Sequence, residues 1–398
     1  MIADVKLKSD RVQQRQTHGI GKQKPPIFRI LLALSLIASV LLPQRAAQAA
    51  DGAWRKLVAV GPHPSERSAP AVASLGASVY VFGGVKDDFS TQTNTFYNDL
   101  HRFATDTNTW ELLSPTGGPP PARAFASAAA HEASGRILIF GGGSFGPLFV
   151  DFVAFDDLWA YSVTDNTWTQ LHPANEGPEA RSGTSAWLIG NRMYIFGGVT
   201  APAFETLNDL WVYNLETNRW TELTANGAAS SPPPRHVAQA GKRPVQGKLV
   251  LYGGESSLAS GFRTLADTWQ FDLGTNAWQD ITPSAGSNID PHRNYGAAGV
   301  IGNDMYLHGG DLPGGSMGCG APFPQNPTEE LWRFDVSRRV WTRLSPGGDP
   351  LVRLKRHAAA VVADRMYVFL GWDFKCEGTG PGQIWNLDVY SFDPAGVP

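Results

Sequence analysis

The chain is a succession of short apolar runs, each closed by a glycine pair. Such runs end in Gly-Gly within residues 79–84, 137–142, 193–198, 249–254 and 305–310, and a sixth copy at 366–371 keeps only its second glycine. A polar segment of variable length follows each pair. An acidic residue (Asp99, Asp157, Asp209, Asp267, Glu330 or Asp388) then leads a second apolar run that carries aromatics and closes on Phe103, Tyr161, Tyr213, Phe271, Phe334 or Phe392. Seven residues beyond the first five of these closing aromatics stands a tryptophan: Trp110, Trp168, Trp220, Trp278 and Trp341. Short runs rich in β-branched and aromatic residues, bounded by Gly, Asn and Asp, predict strands joined by tight turns rather than helices.

These features recur together with a period of about 56 residues, so the unit is a repeat and not a chance alignment of motifs. The pattern resembles the kelch repeat, a glycine doublet followed by an aromatic and a tryptophan at fixed offsets, and the resemblance runs from Trp54 to Phe392. It implies an all-β fold: one six-bladed propeller with four antiparallel strands per blade. Three positions depart from the pattern, namely Leu370 for the first glycine of the sixth doublet, and His101 and Tyr390 where the four middle copies have Trp. Ring closure is also predicted. Residues 54–57 (Trp-Arg-Lys-Leu) match 110–113, while no tryptophan follows Phe392, so the strand at Trp54 is expected to complete the sixth blade.

Charge divides the chain. Residues 1–49 hold eight basic side chains against Asp4 and Asp10, a surplus of six, and the remainder of a chain with net charge −3 is therefore at −9. A domain of that sign has no bulk attraction for nucleic acid or anionic lipid. Within residues 1–49, basic residues precede the apolar run 30–42, Pro43 ends it, and Ala47-Gln48-Ala49 supplies a small-x-small cleavage pattern. This predicts a signal peptide over 1–49, with an uncleaved anchor as the other reading, and an exported, periplasmic or extracellular propeller over 50–398 with no membrane span after cleavage. The two cysteines suit that address. Cys319 lies in the long segment after the fifth doublet and Cys376 in its sixth-blade counterpart, which predicts a Cys319–Cys376 disulfide across neighbouring blades.

The candidate chemistry is thinner. An arginine precedes each predicted first strand: Arg67, Arg123, Arg181, Arg235, Arg293 and Arg356. First strands of a propeller line its channel, so a ring of arginines at one mouth would suit a carboxylate or acidic sugar. The alternative is that each pairs with a carbonyl or acid of its own or the next blade, with Glu255, Asp311 and Asp373 as candidate partners or co-ligands. His236, His357 and His292 lie near the same mouth without the close spacing of a metal motif. Neither a metal nor a cofactor is expected. The kelch propeller also resembles the catalytic domain of the galactose oxidase family, whose Cys–Tyr cofactor and copper ligands find no counterpart here, and the N-acetylneuraminate epimerase family, to which no catalytic residue maps. The expectation is a monomeric binding module for a protein or glycan on one loop face, with a sugar-acid epimerase as the alternative.

Overall fold

The computed structural model describes residues 51–396 apart from 148–149, 259–260, 284–292, 351 and 378–381, so the predicted leader and His292 lie outside the described residues. Six sheets with four antiparallel strands each make up the propeller, and the sixth gains a short parallel strand, Gly347–Gly348, at its outer edge. In the third blade the strands run outward in chain order: Ser185–Ile189, Arg192–Phe196, Leu210–Asn214 and Arg219–Thr224. Small residues dominate the crowded innermost strands, as in Ala358–Val362. The second strands are covered on both faces by neighbouring blades, which is why they read as continuous apolar runs. Leu249, Val250, Leu251 and Tyr252 are all buried. Among the described residues no helix is long and apolar enough to cross a membrane.

The tryptophans weld each blade to its predecessor. Trp168 packs on Phe82 at 5.2 Å between ring centroids, Trp220 on Phe140 at 5.4 Å, Trp278 on Phe196 at 4.8 Å, and Trp341 on Tyr252 at 4.9 Å. Trp110 meets Phe369 of the sixth blade at 5.6 Å. The circle closes as the sequence predicts. Ala53–Leu57 pairs antiparallel with Val389–Asp393, Trp54 opposite Phe392, and Trp54 packs on His308 of the fifth blade at 5.3 Å. Leu370 holds the left-handed φ of 59° that glycine adopts at the other first doublet positions.

At the seam between blades five and six, histidine replaces the aromatic found at the end of the other second strands. His308 Nδ1 lies 3.1 Å from His357 Nε2, and both rings are buried. Burial pushes His308 well below its usual value, with His357 adding to the effect, and lowers His357 to about 3. Both are therefore neutral in the fold at pH 7. Unfolded chains take up these protons below the free value of 6.5, so stability is intact above that pH and declines toward 3. Each histidine can contribute up to about 1.4 kcal/mol per pH unit over that window. The melting temperature is expected to fall between pH 7 and pH 4 more steeply than in a His308→Phe, His357→Ala double variant. Parallel melting profiles of the two proteins would disprove the linkage.

The segments after the doublets, which the sequence presents as loops, are hairpin arms. Residues 84–88 and 93–97 continue the central strands of blade one past a register shift at the doublet. Gly143–Ser144 pairs with Val153–Ala154, Glu255–Leu258 with Gly261–Thr264, Asp311–Gly318 with Ala321–Pro327, and Trp372–Phe374 with Gln383–Trp385. In blade three the arm is a single bridge between Val199 and Thr206. The Cys319–Cys376 disulfide joins the fifth and sixth arms, with the Cα atoms 5.6 Å apart.

Candidate functional site

Five of the six arginines are internal clamps, not a binding ring. Arg181 donates through Nη1 to Asp209 Oδ1 at 2.6 Å, through Nη2 to Asp209 Oδ2 at 2.9 Å, and through Nη1 to the Gly197 carbonyl at 3.1 Å. Arg67 pairs with Asp99, Arg123 with Asp157 at 2.5 Å, Arg235 with Asp267 at 2.6 Å and Arg293 with Glu330 at 2.5 Å, the four arginine side chains no more than 1% exposed and the acids 12–30%. Each partner is the acid that leads the third strand of the same blade. The same acids accept from the next-but-one aromatic: Trp159, Trp211, Trp269 and Trp332 donate to Asp157, Asp209, Asp267 and Glu330 at 2.7–2.9 Å. His101 replaces that tryptophan in blade one with the bond preserved, Nε2 to Asp99 at 3.0 Å. Burial works against the Asp99 charge, yet the hydrogen bonds from His101 and Arg67 hold its carboxyl far below the usual range.

Arg356 does not belong to this set. The clamp position in blade six is Leu354, whose carbonyl accepts the Gly310 amide as the Arg123 carbonyl accepts that of Gly84. Arg356 stands two residues on, in register with Ala69, Phe125, Gly183, Val237 and Tyr295. All six occupy left-handed backbone, with φ between 47° and 70°. Their main chains form a hoop of five hydrogen bonds around the axis, open between Val237 and Tyr295: Ala69 N–H donates to the Arg356 carbonyl at 2.6 Å, Phe125 to Ala69 at 2.9 Å, Gly183 to Phe125 at 2.9 Å, Val237 to Gly183 at 2.8 Å, and Arg356 to Tyr295 at 2.9 Å. Below the hoop lies a small cavity of about 150 Å³ lined by inner strands, His357 and Lys242; Lys242 Nζ reaches across to the Val72 carbonyl at 2.7 Å.

Above the hoop the arms enclose a cup of about 860 Å³. Its lining includes the rings of Phe125, Phe145, Phe152, Phe204, Phe262 and Phe323, with Phe152 and Phe204 stacked at 4.6 Å. Toward its floor lie Arg356, Glu255, Asp311, His236, Asn294 and Tyr295. Arg356 Nη1 donates to Asp87 Oδ2 at 2.5 Å, and its guanidinium carbon sits 4.8 Å from the Tyr295 ring centroid. Burial raises Asp87 and Arg356 pulls it back. Lys355 pairs with Asp311 and donates to Gln325 Oε1 at 2.7 Å; burial brings its ammonium down to about 8, with Asp311 opposing. Glu255 accepts from Asn294 Nδ2 at 2.7 Å and from the Tyr295 hydroxyl at 3.2 Å. Burial drives Tyr295 far above its usual value, and Glu255 adds to the effect, so that hydroxyl remains a donor.

Of the residues singled out from the sequence, the cup gathers Arg356, Glu255, Asp311 and His236. Arg67, Arg123, Arg181, Arg235 and Arg293 lie outside its lining, and Asp373 sits on the sixth arm paired with Arg353 at 3.0 Å. The phenylalanines were missed because five of them are scattered over the arms with no shared repeat position, while Phe125 stands at a hoop position that the other blades fill with Ala, Gly, Val, Tyr or Arg. Their one sequence signal is that they are large aromatics outside the doublet, closing-aromatic and tryptophan positions. Among the described residues no group of three His, Cys, Asp or Glu is placed to hold a metal ion.

A closed six-bladed ring with a crown of hairpin arms above a hooped axis defines the class as a β-propeller. The chain belongs to the kelch-repeat family: the KLHDC2/KLHL20/DRC7 Kelch-repeats domain matches residues 46–156 and 90–310. It is 26% identical over 348 residues to the leucine-zipper-like transcriptional regulator 1 homolog of Drosophila melanogaster, covering 84% of this chain and 32% of that protein. Human host cell factor 2 is 27% identical over 355 residues, covering 80% of this chain and 41% of its own length. Human kelch domain-containing protein 3 is 30% identical over 199 residues, covering 49% of this chain and 50% of its own. The chain thus spans no more than half the length of these relatives.

Proposed function

We propose that this propeller is a binding module and that its cup takes a projecting segment of a partner protein. The observation that carries this reading is the concentration of exposed apolar side chains on the arms around the cup: Val150, Val153, Phe262, Met317 and Ile384 are each at least 50% exposed, and Phe262 lines the cup itself. Exposed apolar side chains gathered around a pocket mark an interaction site and suit a protein ligand. The kelch family membership supports the reading. Export fits beside it, through the leader over 1–49 and the disulfide across the arms, and predicts a mature protein that begins near residue 50 outside the cytoplasm.

Peptides selected from a random display library on the full chain test the proposal. Selected binders are expected to lose at least about tenfold in affinity with Phe262→Glu while the melting temperature is unchanged. Unaltered affinity of every binder would place recognition elsewhere. Fractionation and N-terminal mass spectrometry of the same preparation check export, and a cytoplasmic protein with an intact leader would contradict it. A second reading, a carbohydrate-active enzyme, draws on one observation: Glu255 Oε2 and His236 Nε2 stand 3.5 Å apart at the floor, in reach of a shared proton. Anomer exchange of an acidic sugar accelerated by the intact chain and not by Glu255→Gln, followed by NMR, would favour it.

A further inference from the structure

The three carboxylates at the base of the cup are not alike. Asp87 is matched by Arg356, and Asp311 by Lys355, each within salt-bridge reach and each pair largely buried. Among the described residues no lysine or arginine forms a salt bridge with Glu255, whose hydrogen-bond donors, Asn294 and Tyr295, are both neutral, and Lys355 acts on it only at longer range. A carboxylate largely shielded from water and left without a directly paired countercharge is costly unless a cation arrives.

His236 sharpens the point. Its Nδ1 lies 3.1 Å from the main-chain carbonyl of Glu255, an atom that can only accept, so the ring proton belongs on Nδ1. The Nε2 lone pair then faces Glu255 Oε2 across 3.5 Å. Two acceptors confront each other with no proton between them. Burial, which lowers the affinity of His236 for a second proton, keeps the ring from supplying one. A donor brought from outside would satisfy both.

The surroundings select the kind of donor. Phe262 packs against the His236 ring at 5.5 Å and against Phe204 at 6.4 Å, and with Glu255 all three line the cup, so an aromatic pair borders the acceptor pair on the His236 side. A cation between aromatic rings gains from the ring quadrupoles once water is excluded, whereas a carboxylate or phosphate there would meet both rings and Glu255 unfavourably. Resting on the reading of the cup as a site for a partner's segment, we infer that the segment delivers a cationic side chain, a guanidinium or ammonium, onto Glu255 beside Phe262 and Phe204. The three neighbouring charges, Arg356, Lys355 and Asp311, remain engaged with their own partners and set the floor against which the cation seats.

The test uses the full chain and two small probes, N-acetyl-arginine methylamide and its citrulline counterpart, followed by NMR titration. Arginine is expected to bind at least about tenfold more tightly than citrulline, a near-isostere that lacks the charge and puts a carbonyl acceptor in place of one donor nitrogen. Glu255→Gln should erase that preference without lowering the melting temperature, and Phe262→Leu should weaken arginine alone. Equal affinity for the two probes, or a preference that survives Glu255→Gln, would overturn the inference. The display selection separates this failure from that of the wider reading. Selected peptides that depend on Phe262 but carry no lysine or arginine would overturn the cation while keeping the module, and a selection in which no peptide depends on Phe262 would overturn both.

Discussion

A chain lacking residues 1–57 is expected to melt far below the intact protein, and Trp54→Ala alone is expected to remove about 3–5 kcal/mol of stability. Two effects combine in the deletion. Trp54 is 2% exposed and lies 5.3 Å from both Phe392 and His308, so its loss opens a void at the seam of blades five and six. Without Ala53–Leu57, Val389–Asp393 also loses its outer neighbour and becomes an unpaired edge. A propeller gains its stability by closing the circle, so this seam should carry more weight than any other outer strand. Differential scanning calorimetry of the two variants is the check; a deletion that melts with the intact protein would show that the ring does not depend on this strand.

Arg181→Leu is the second large effect, expected to cost about 3–5 kcal/mol. The clamp is almost sealed from water, with Arg181 and Asp209 side chains 1% and 6% exposed. Removing the guanidinium leaves the carboxylate buried with Trp211 as its remaining side-chain donor and frees the Gly197 carbonyl. Adding Asp209→Asn should recover part of the loss, because the stranded charge goes with it. Blade six already shows that solution: Leu354 fills the clamp position, and its acid, Asp388, turns outward to Lys56. Denaturant melts of the single and double variants measure both terms. A ligand-binding ring predicts the opposite pattern, with affinity lost and stability kept.

The repeat made the scaffold readable because each structural demand recurs. Doublets (worn to one glycine in the sixth copy), third-strand aromatics and tryptophans, with Trp54 as the sixth, recur blade by blade and check one another. The arginines were legible as a set, but their partners were not, since a clamp joins residues about thirty positions apart in chain and adjacent only once a sheet has formed. The sixth member was misplaced for a simpler reason. The interval from the arginine to the first doublet residue is 16 or 18 in five blades. From Arg356 to Leu370 it is 14, and counting from Leu354 restores 16. The arms resisted reading because Pro313, Gly314 and Gly315 break the alternation that marks a strand. The cup resisted it because its phenylalanines come from four blades, three from the second and one each from the third, fourth and fifth, mostly at positions where no repeat disciplines the sequence.

The hoop beneath the cup has an electrostatic consequence. Each described link points the same way round, from one blade's N–H to the carbonyl of the blade before it. Peptide dipoles arranged head to tail along a line build up a field at its ends, as in a helix. Bent round an arc that stops short of a circle only between Val237 and Tyr295, the same dipoles lie around the axis and largely cancel instead of building a pole along it. The backbone that builds the floor is therefore blind to the sign of what lies above it. Charge preference rests with side chains such as Glu255 and Arg356, and Glu255 can be exchanged without disturbing any link of the hoop.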